Sequence, residues 1–493
     1  MSDESDERSE DVRIETDSLG EVEVPGEVYW GAQTQRALAN FPISGITFDR
    51  HFVRALGIVK KAAALANRDL ELVDETTAEA IVEAADEVIA GEHDAQFPVD
   101  VFQTGSGTSS NMNANEVIAN RASEIVGAEA GSKEVHPNDH VNFGQSSNDV
   151  IPTAMHVACG EAIQRDLIPA LETLADALEA KEVEFADVVK TGRTHFQDAT
   201  PVTLGQEFSG YRTQVETGIT RASRASNELA ELALGGTAVG TGLNTHPDFP
   251  ELAAEYVSQK TGVPFEEATN HFEAQAAHDA MGQAHASLKT VAGSLNKIAN
   301  DLRLLASGPR NGLGELAQPE NQPGSSIMPG KVNPVVAESV NQVHKQVIGN
   351  DATISYGAAE GQLDLNLYKP VLAHNFLQSA ALLTNAAETF AEKFVRNLEV
   401  NRETCESQVE RSMALATALN PAIGYDEAST VAKKALEDGK TVREVAVSEG
   451  YLTKEEANEV LDPMAMTERG ILSEDGAGDD GTDNDSAGDD ADG

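Results

Sequence analysis

The sequence predicts a mainly α-helical fold centred on a bundle of long helices. Between residues 281 and 305 the apolar positions follow two interleaved seven-residue series, a pattern typical of a helix packed in a bundle. The residues in this pattern are Met281, Ala284, Leu288, Val291, Leu295, Ile298, Leu302 and Leu305. Strand-like alternation is scarce and only 5% of residues are aromatic, so we expect an aliphatic core.

Two further segments with helical spacing extend the predicted bundle. They are marked by Leu167, Leu171, Leu174 and Leu178, and by Val336, Val340, Val343 and Val347. We expect a largely helical N-terminal domain over residues 12–145, a central bundle over 146–400 and a small helical domain over 401–472. Residues 1–11 and 473–493 are acidic and lack apolar periodicity, so we expect both segments to be disordered.

The charge balance restricts the partners of this chain. It holds 82 acidic and 35 basic residues, a net charge of −47, and the two acidic ends contribute only −5 and −9 of it. Such a surface repels nucleic acid and anionic membranes, and its self-repulsion is tolerated where salt is abundant. The acid-rich composition with 16 lysines resembles that of halophilic archaeal proteins.

The cysteines and the N-terminus indicate a cytoplasmic protein. Cys159 and Cys405 do not form a metal-ligand spacing, so we expect reduced thiols and no metal site. No apolar run approaches the roughly 20 residues of a membrane span, and the acidic N-terminus is unlike a signal peptide.

The segment from Gly324 to Pro334 is the part of the sequence that most strongly indicates a catalytic or binding site. Its sequence, Gly-Ser-Ser-Ile-Met-Pro-Gly-Lys-Val-Asn-Pro, joins two hydroxyls, a lysine and an asparagine between glycines that permit motion and prolines that limit it. A serine near a cation and an amide suits a substrate that carries carboxylates. The alternative is an ordinary turn whose serine caps the helix that follows.

Several other polar motifs occur with this loop. They are Thr104–Glu116, His136–Asn142, Gln145–Asp149, Gly192–Pro201 and Leu204–Tyr211. Their order and spacing resemble the signatures of the aspartase/fumarase superfamily, and most of all those of class II fumarase, over nearly the whole chain between its acidic ends. The resemblance implies a three-domain fold whose long helices assemble into a tetrameric helical core. It also implies metal-independent, cofactor-free hydration of fumarate to L-malate in the tricarboxylic acid cycle.

The same resemblance implies catalytic roles for Ser325, His195 and Glu338. In the family the reaction is an acid/base anti-elimination through an aci-carboxylate intermediate. Ser325 would take the carbon-bound proton, and His195, paired with Glu338, would handle the proton of water. A capping role for the serine and a structural role for the histidine are the alternatives. Which residue acts as acid in each direction stays open.

The resemblance implies two binding sites for dicarboxylates. The residues expected at the substrate are Ser106, Gly107, Thr108, Ser146, Ser147, Asn148, Thr194, Ser326, Lys331, Val332 and Asn333. A second, peripheral site would involve Lys133, His136, Pro137, Asn138 and Asp139. Here the chain reads Lys133-Glu134, where relatives often carry Arg followed by Lys, and lysine lacks the bidentate fork of arginine.

Helix length makes a prediction about assembly. A helix from about residue 151 to 190 would be roughly 60 Å long. Motifs that precede it and the 192–201 motif that follows it could then share a site only if they come from different subunits. The resemblance implies a homotetramer with each active site drawing on three chains.

Two other functions share most of these motifs. Aspartate ammonia-lyase has the same fold, but Gly330, Ser147 and the segment after Asp198 resemble the hydratase. A structural protein that has lost catalysis is disfavoured by the intact Ser325 and His195. The glycine-rich run Gly235–Gly242 lacks the Gly-Lys-Ser/Thr of a phosphate loop, so we expect a scaffold turn.

Overall fold

Helices make up most of the fold, which confirms the predicted class. The computed structural model describes residues 12–470, so the disorder expected for 1–11 and 473–493 concerns segments outside the described residues. In the described part the α-helices are α1 Ala32–Asn40, α2 Arg50–Asp69, α3 Glu75–Ala90, α4 Thr108–Ile125, α5 Ser147–Glu161, α6 Ile168–Glu184, α7 Leu204–Glu228, α8 Phe249–Thr261, α9 His271–Ala276, α10 Asp279–Leu305, α11 Val335–Ala359, α12 Lys369–Lys393, α13 Arg402–Glu410, α14 Asn420–Ile423, α15 Tyr425–Asp438, α16 Val442–Ser448 and α17 Lys454–Val460.

The strands are short and pair two by two. Those described are β1 Val12–Asp17, β2 Gly20–Pro25, β3 Val189–Thr194, β4 Gln197–Thr203, β5 Glu231–Leu232, β6 Glu266–Glu267, β7 Leu316–Ala317 and β8 Glu399–Val400. The pairs β1–β2, β3–β4 and β7–β8 are antiparallel, and β5–β6 is parallel.

Contacts divide the chain into two units. As far as the structure describes them, one comprises Met1–Ala177, Arg212–Arg303 and Glu320–Asn397, and the other Leu178–Tyr211, Leu304–Pro319 and Leu398–Gly493. The second unit has an aliphatic core of its own, which includes Leu415, Leu419, Val445 and Leu461. This grouping by contact does not test the predicted division into three domains, which stays a prediction.

The heptad residues of α10 form the centre of the bundle, as predicted. Every member of the series from Met281 to Leu305 is buried, with at most 7% of its surface exposed. Leu167, Leu171, Leu174 and Leu178 are completely buried. Their burial removes apolar surface from water, which is the main favourable contribution to folding.

The predicted single helix from about 151 to 190 is wrong in its detail. The structure has α5, a π-helical segment Ala162–Leu167, and then α6, which ends at Glu184. Pro169 has no N–H and cannot donate to the carbonyl of Arg165, and the backbone widens to π geometry just before it. The chain then leaves the helix and enters β3 at Val189.

A buried hydrogen-bonded network joins three bundle helices. His285 of α10 is completely buried, and its Nδ1 lies 3.0 Å from the Oδ1 of Asp351 on α11. Its Nε2 lies 2.8 Å from the Oγ of Ser379 on α12. Because a carboxylate only accepts, Nδ1 carries the proton and Nε2 accepts from the Ser379 hydroxyl. The network therefore specifies how α10, α11 and α12 align.

Acid should weaken the fold through His285. Burial lowers the pKa of this imidazole against the opposing effect of Asp351, so the unfolded chain binds a proton below about pH 6.5 that the folded chain does not. The stabilising contribution is complete above that pH and is lost as pH falls, by about 1.4 kcal/mol per pH unit. We expect the denaturant-unfolding free energy at high KCl to fall less steeply with acid in His285→Gln than in the wild type. His246→Gln, at a partly exposed site, should retain the wild-type slope, and an unchanged slope in His285→Gln would contradict the assignment.

Candidate active site

The Ser325 hydroxyl lies in a small cradle of backbone amides. Its Oγ accepts the N–H of Ile327 at 3.2 Å and the N–H of Met328 at 3.0 Å. Donors in this arrangement stabilise negative charge on the oxygen they face. The same contacts occur in ordinary serine turns, so they fit both the catalytic and the turn-forming alternative for Ser325.

The loop around Ser325 closes on itself through its ends. The Nδ2 of Asn333 donates to the carbonyl of Gly324 at 2.6 Å. A Cβ at Gly324 would lie 2.0 Å from the carbonyl oxygen of Lys331, so only glycine fits there. Gly330 has a φ of +77°, which also favours glycine. The two glycines permit a tight loop that holds its polar groups close together.

The other residues predicted in this part of the chain have differing exposure. Ser326 and Lys331 are exposed, whereas Val332, Asn333 and Glu338 are partly buried. Glu338 lies in the first turn of α11, where its N–H donates to the carbonyl of Pro334 at 3.0 Å. An acidic side chain is stabilised at that end of a helix.

His195 stands at the tip of the β3–β4 hairpin, in the second unit. Thr194 pairs with Gln197, so His195 and Phe196 form a two-residue turn. Both have left-handed backbones, with φ of +56° and +57°, the geometry of a type I′ turn that usually holds Asn-Gly. A histidine and a phenylalanine are costly in this conformation, and such costs cluster at functional sites. The turn presents Thr194, His195 and Phe196 as exposed side chains.

Buried charges anchor this hairpin. Lys190 and Glu315 are almost fully buried, and the Nζ of Lys190 lies 2.9 Å from Glu207 and 3.3 Å from Glu315. Arg193, two residues before His195, pairs with Glu315 at 2.8 Å and donates to Gln408 at 2.8 Å. Each buried charge has an opposite partner, so strand β3 is held rigidly up to the residue before the turn.

A third cluster lies where α4 and α5 begin. Gly107 caps α4 with a φ of +78°, and a Cβ there would lie 2.8 Å from the side chain of Ile151 on α5. The hydroxyls of Ser106 and Thr108 are 2.8 Å apart. The glycine therefore lets the first residues of α4 approach α5 closely.

The start of α5 is fixed by a capping box. Ser146 accepts from the N–H of Asn148 at 3.2 Å, and Asp149 accepts from the N–H of Ser146 at 2.9 Å. The Oγ of Ser147 accepts from Asn111 of α4 at 3.0 Å. The first turns of α4 and α5 are therefore neighbours, and the shared binding surface expected for Ser106–Thr108 and Ser146–Asn148 stays a prediction.

The glycine-rich run at 235–242 has a specific partner. The buried Asp149 carboxylate accepts the N–H of Gly235 at 3.0 Å and the N–H of Thr237 at 2.9 Å. The Nδ2 of Asn148 donates to the carbonyl of Ala238 at 2.7 Å. Burial raises the pKa of Asp149 to about 6, although these backbone donors oppose the shift. The predicted turn is therefore a support for the start of α5.

Two buried lysines near Asp149 were not predicted. Lys60 of α2 donates to the side-chain oxygens of Asn142 and Gln145, both at 2.9 Å, and Lys369 donates to the carbonyl of Asn148 at 3.2 Å. Burial lowers the pKa of each lysine to about 7, and the Asp149 charge opposes that shift. The available signal for Lys60 was its place on the apolar stripe of α2, one turn from residues on the buried face.

Four of the five predicted peripheral residues, Lys133, His136, Pro137 and Asn138, line a cavity of about 290 Å³, whereas Asp139 is outside its lining. The Nζ of Lys133 donates to the carbonyl and hydroxyl of Thr16 at 2.7 and 3.1 Å. The Nδ1 of His136 accepts the backbone N–H groups of Asn138 and Asp139 at 3.2 and 3.1 Å, and Pro137 begins a π-helical turn. Three carboxylates, Glu15, Asp17 and Glu116, also line this cavity.

Between residues 12 and 470, no three His, Cys, Asp or Glu side chains are grouped so that they could hold a metal ion. None of the helices in that range is both long and apolar enough to span a membrane.

Known proteins resemble this chain over almost all of its length. A family model described as "Lyase" matches residues 20–349, and one described as "Fumarase C C-terminus" matches residues 415–468. A class II fumarate hydratase from Halobacterium salinarum is 75% identical over 467 residues, covering 95% of this chain and 99% of that protein. One from Nitrosomonas europaea is 55% identical, covering 92% and 99%. The crystal structure of class II fumarase from Schistosoma mansoni matches with a TM-score of 0.90 at 42% identity, covering 93% and 99%.

Replacing Asp149 by Asn should destabilise the fold strongly. The change removes a negative charge that acts on two buried lysines and turns one acceptor of buried backbone N–H groups into a donor, and each unpaired buried group typically costs about 1–3 kcal/mol. The measurement is the free energy of unfolding by denaturant at neutral pH and high KCl. Asp176→Asn, at an exposed position of α6, is the control and should stay within about 0.5 kcal/mol of wild type. A comparably small effect of Asp149→Asn would mean that Asp149 does not balance the lysines.

Proposed function

The chain belongs to the class II fumarase family and catalyses the reversible hydration of fumarate to L-malate, and we propose that Ser325, His195 and Glu338 carry out the reaction. The observation that supports this most directly is the pair of backbone N–H groups on the Ser325 Oγ. A serine needs such help because its hydroxyl is intrinsically a poor base.

In the malate-to-fumarate direction, Ser325 takes the proton from the carbon next to a carboxylate. Negative charge then develops on that carboxylate, which gives the aci-carboxylate intermediate. Lys331 supplies positive charge from the same loop, and fixed donors at a developing charge lower the barrier more than they stabilise the substrate. No electrons leave the substrate, so its oxidation state is unchanged and no redox cofactor is required.

His195 and Glu338 handle the proton of the oxygen that departs as water. An imidazole titrates near neutrality and serves in both directions of the reaction. A carboxylate beside it would set the orientation and charge of the ring. The strained hairpin turn at His195 supports a functional role, because residues that are costly in their backbone conformation cluster at functional sites.

The predicted short donors hold the two carboxylates of the substrate. Ser106, Gly107, Thr108, Ser146, Ser147 and Asn148 belong to one surface at the starts of α4 and α5, Thr194 to the hairpin, and Ser326, Lys331, Val332 and Asn333 to the Ser325 loop. Hydroxyls, amides and one ammonium in a confined site suit a small dicarboxylate of fixed length.

We propose that the active site is completed in a homotetramer, where three subunits contribute to each site. Phe196 beside His195 is 80% exposed and Ile327 beside Ser325 is 83% exposed in the single chain. Val343, a member of the predicted apolar series, lines a surface groove of about 750 Å³ together with Leu382. Covering these apolar side chains would stabilise an assembly and remove water from the reacting groups.

Two further proposals concern the setting of the enzyme. The acid-rich composition and the likeness to the Halobacterium salinarum protein support a salt-rich cytoplasm, where the reaction serves the tricarboxylic acid cycle. The peripheral cavity, with Lys133 and His136, remains our proposed second dicarboxylate site. Its acidic lining makes weak binding the expectation there.

Ultraviolet absorbance of the conjugated double bond of fumarate tests the reaction. We expect fumarate to form from L-malate at high KCl and not from L-aspartate. Formation from L-aspartate alone would make the chain an ammonia-lyase, which is the second candidate. Turnover of neither compound by a folded protein would contradict both assignments.

Two inactive variants test the residue roles. Ser325→Ala and His195→Asn should each lower kcat by about 10²–10⁴-fold, because each removes a proton-transfer group. Ser407→Ala and His246→Asn, outside the predicted site, should retain wild-type kcat. Near-normal turnover by either site variant would exclude that residue from the mechanism.

Mixing these variants tests the shared site. Co-refolded Ser325→Ala and His195→Asn chains should recover part of the activity, because some mixed sites receive both intact residues. Verified mixed tetramers without recovery would show that each site takes both residues from one chain.

A further inference from the structure

A continuous chain of hydrogen bonds runs from Lys60 to the Ser147 hydroxyl. The Nζ of Lys60 donates to the Oδ1 of Asn142 at 2.9 Å. The Nδ2 of Asn111 donates to the same oxygen at 3.2 Å and to the Oγ of Ser147 at 3.0 Å. Lys60 is completely buried and Asn111 is 1% exposed, so these bonds form largely away from water.

The lysine determines the direction of every bond in this chain. An ammonium donates and cannot accept, so Asn142 must turn its oxygen toward Lys60. That oxygen then requires a donor from Asn111, whose NH₂ group faces both Asn142 and Ser147. The Ser147 oxygen is thereby an acceptor within the protein, and its own hydrogen is left to point elsewhere.

Burial lowers the pKa of Lys60 to about 7, but its Nζ carries at least two N–H donors in the charged and in the neutral form. Two amide oxygens accept from its Nζ, and the Asp149 carboxylate attracts its charge. Both effects oppose the burial that favours a neutral amine. Asn142 is held from its other side as well, since its Nδ2 donates to the carbonyl of Gln145 at 3.1 Å.

The orientation of the Asn111 side-chain amide is imposed by its neighbours, because it leaves the amide oxygen without a hydrogen bond. Its Oδ1 is buried and has no hydrogen-bond partner among the residues described. A flipped amide would bring that oxygen against the oxygen of Asn142, so the orphaned position is the less costly one. Leaving a buried acceptor unpaired is costly, and local rearrangement would remove that cost if the network allowed it.

We propose that Lys60, acting through Asn142 and Asn111, is a positioning residue that makes the Ser147 hydroxyl a hydrogen-bond donor to a carboxylate of the substrate. The inference rests on the proposed place of Ser147 in the substrate site. It adds a residue from α2, remote in sequence from the signature motifs, to the determinants of substrate binding.

A double-mutant cycle separates this role from simple packing. The variants are Lys60→Met, Ser147→Ala and their combination, assayed with fumarate and with L-malate at high KCl. We expect KM to rise about 10–100-fold in Ser147→Ala, since a hydrogen bond to a charged group is lost. Lys60→Met should raise KM about tenfold with kcat changed less than about threefold. The double variant should resemble Ser147→Ala alone, because Lys60 would act through a group that is already absent.

Two results would contradict the proposed role of Lys60. If the two KM effects multiply in the double variant, Lys60 acts independently of Ser147 and the proposal is wrong. It is also wrong if Lys60→Met lowers kcat and leaves KM unchanged. Lys61→Met, the neighbouring lysine that pairs with Asp86, is the matched control and should keep the wild-type KM.

A second variant covers the case in which Lys60→Met does not fold. Asn111→Asp is nearly isosteric but replaces the NH₂ donor by an acceptor, so the Ser147 hydroxyl should turn inward and donate to the new carboxylate. We expect a rise in KM at least as large as that of Ser147→Ala. Asn113→Asp, a buried asparagine on the same helix that donates to the carbonyl of Gln96, controls for the added charge. An unchanged KM in Asn111→Asp would overturn the proposal.

Failure of the inference and failure of the proposed function are distinguishable. If Ser147→Ala keeps the wild-type KM, Ser147 does not contact the substrate, and this inference falls while the hydratase reaction stands. If the wild-type chain turns over neither fumarate nor L-malate, the proposed function itself falls, and the inference with it.

Discussion

Charge that is buried must be balanced, and this constraint shapes the region where α2, α4 and α5 meet. The Asp149 carboxylate accepts from backbone donors of the glycine-rich turn, and its charge opposes the lowering of the pKa of the buried Lys60 and Lys369 amines. Removing the Asp149 charge would further disfavour the charged form of both amines in a medium of low polarity. The start of α5, which carries Ser146, Ser147 and Asn148, is therefore held by buried polar and charged groups. The bundle, in contrast, is held by aliphatic packing.

The Ser325 loop in the first unit and the His195 hairpin in the second are held in place by different interactions. In the first unit a serine loop is closed by glycines and by Asn333, so its shape comes mainly from the backbone. In the second, a strained hairpin is held by the buried pairs of Lys190 and Arg193 with Glu315. Each of the two proposed catalytic side chains, Ser325 and His195, is exposed or partly exposed on a segment held by these contacts, an arrangement that suits catalytic positioning.

The sequence carries information about the helices and the motifs in different degrees. The heptad series of α10 predicts burial correctly, because repetition over many residues averages out local exceptions. The helix expected to reach residue 190 ends at Glu184, since the alternating residues that follow pair locally as β3 and β4. Val343 has the spacing of a core residue and yet is only partly buried, because periodicity cannot say which neighbour covers a helix face.

Some residues of the candidate site were likewise predictable from the sequence and others were not. Its motif residues could be named from a family resemblance, whereas Lys60 and Lys369 have no local signature and become notable only when the fold buries them. The type I′ turn at His195 was equally hidden, because His-Phe lacks the Asn-Gly preference that identifies such turns.

The hairpin also limits how this enzyme can change. Neighbouring residues of a strand point to opposite faces, and the irregular register between Thr191 and Arg193 resets that alternation just before the turn. Gly192 permits the irregularity, since a Cβ there would lie 2.4 Å from the carbonyl oxygen of Thr200. A single inserted or deleted residue between Val189 and Thr203 would shift the register of β3 and β4 and so change the direction of the His195 side chain. In this segment, evolution can exchange side chains more readily than it can alter the number of residues.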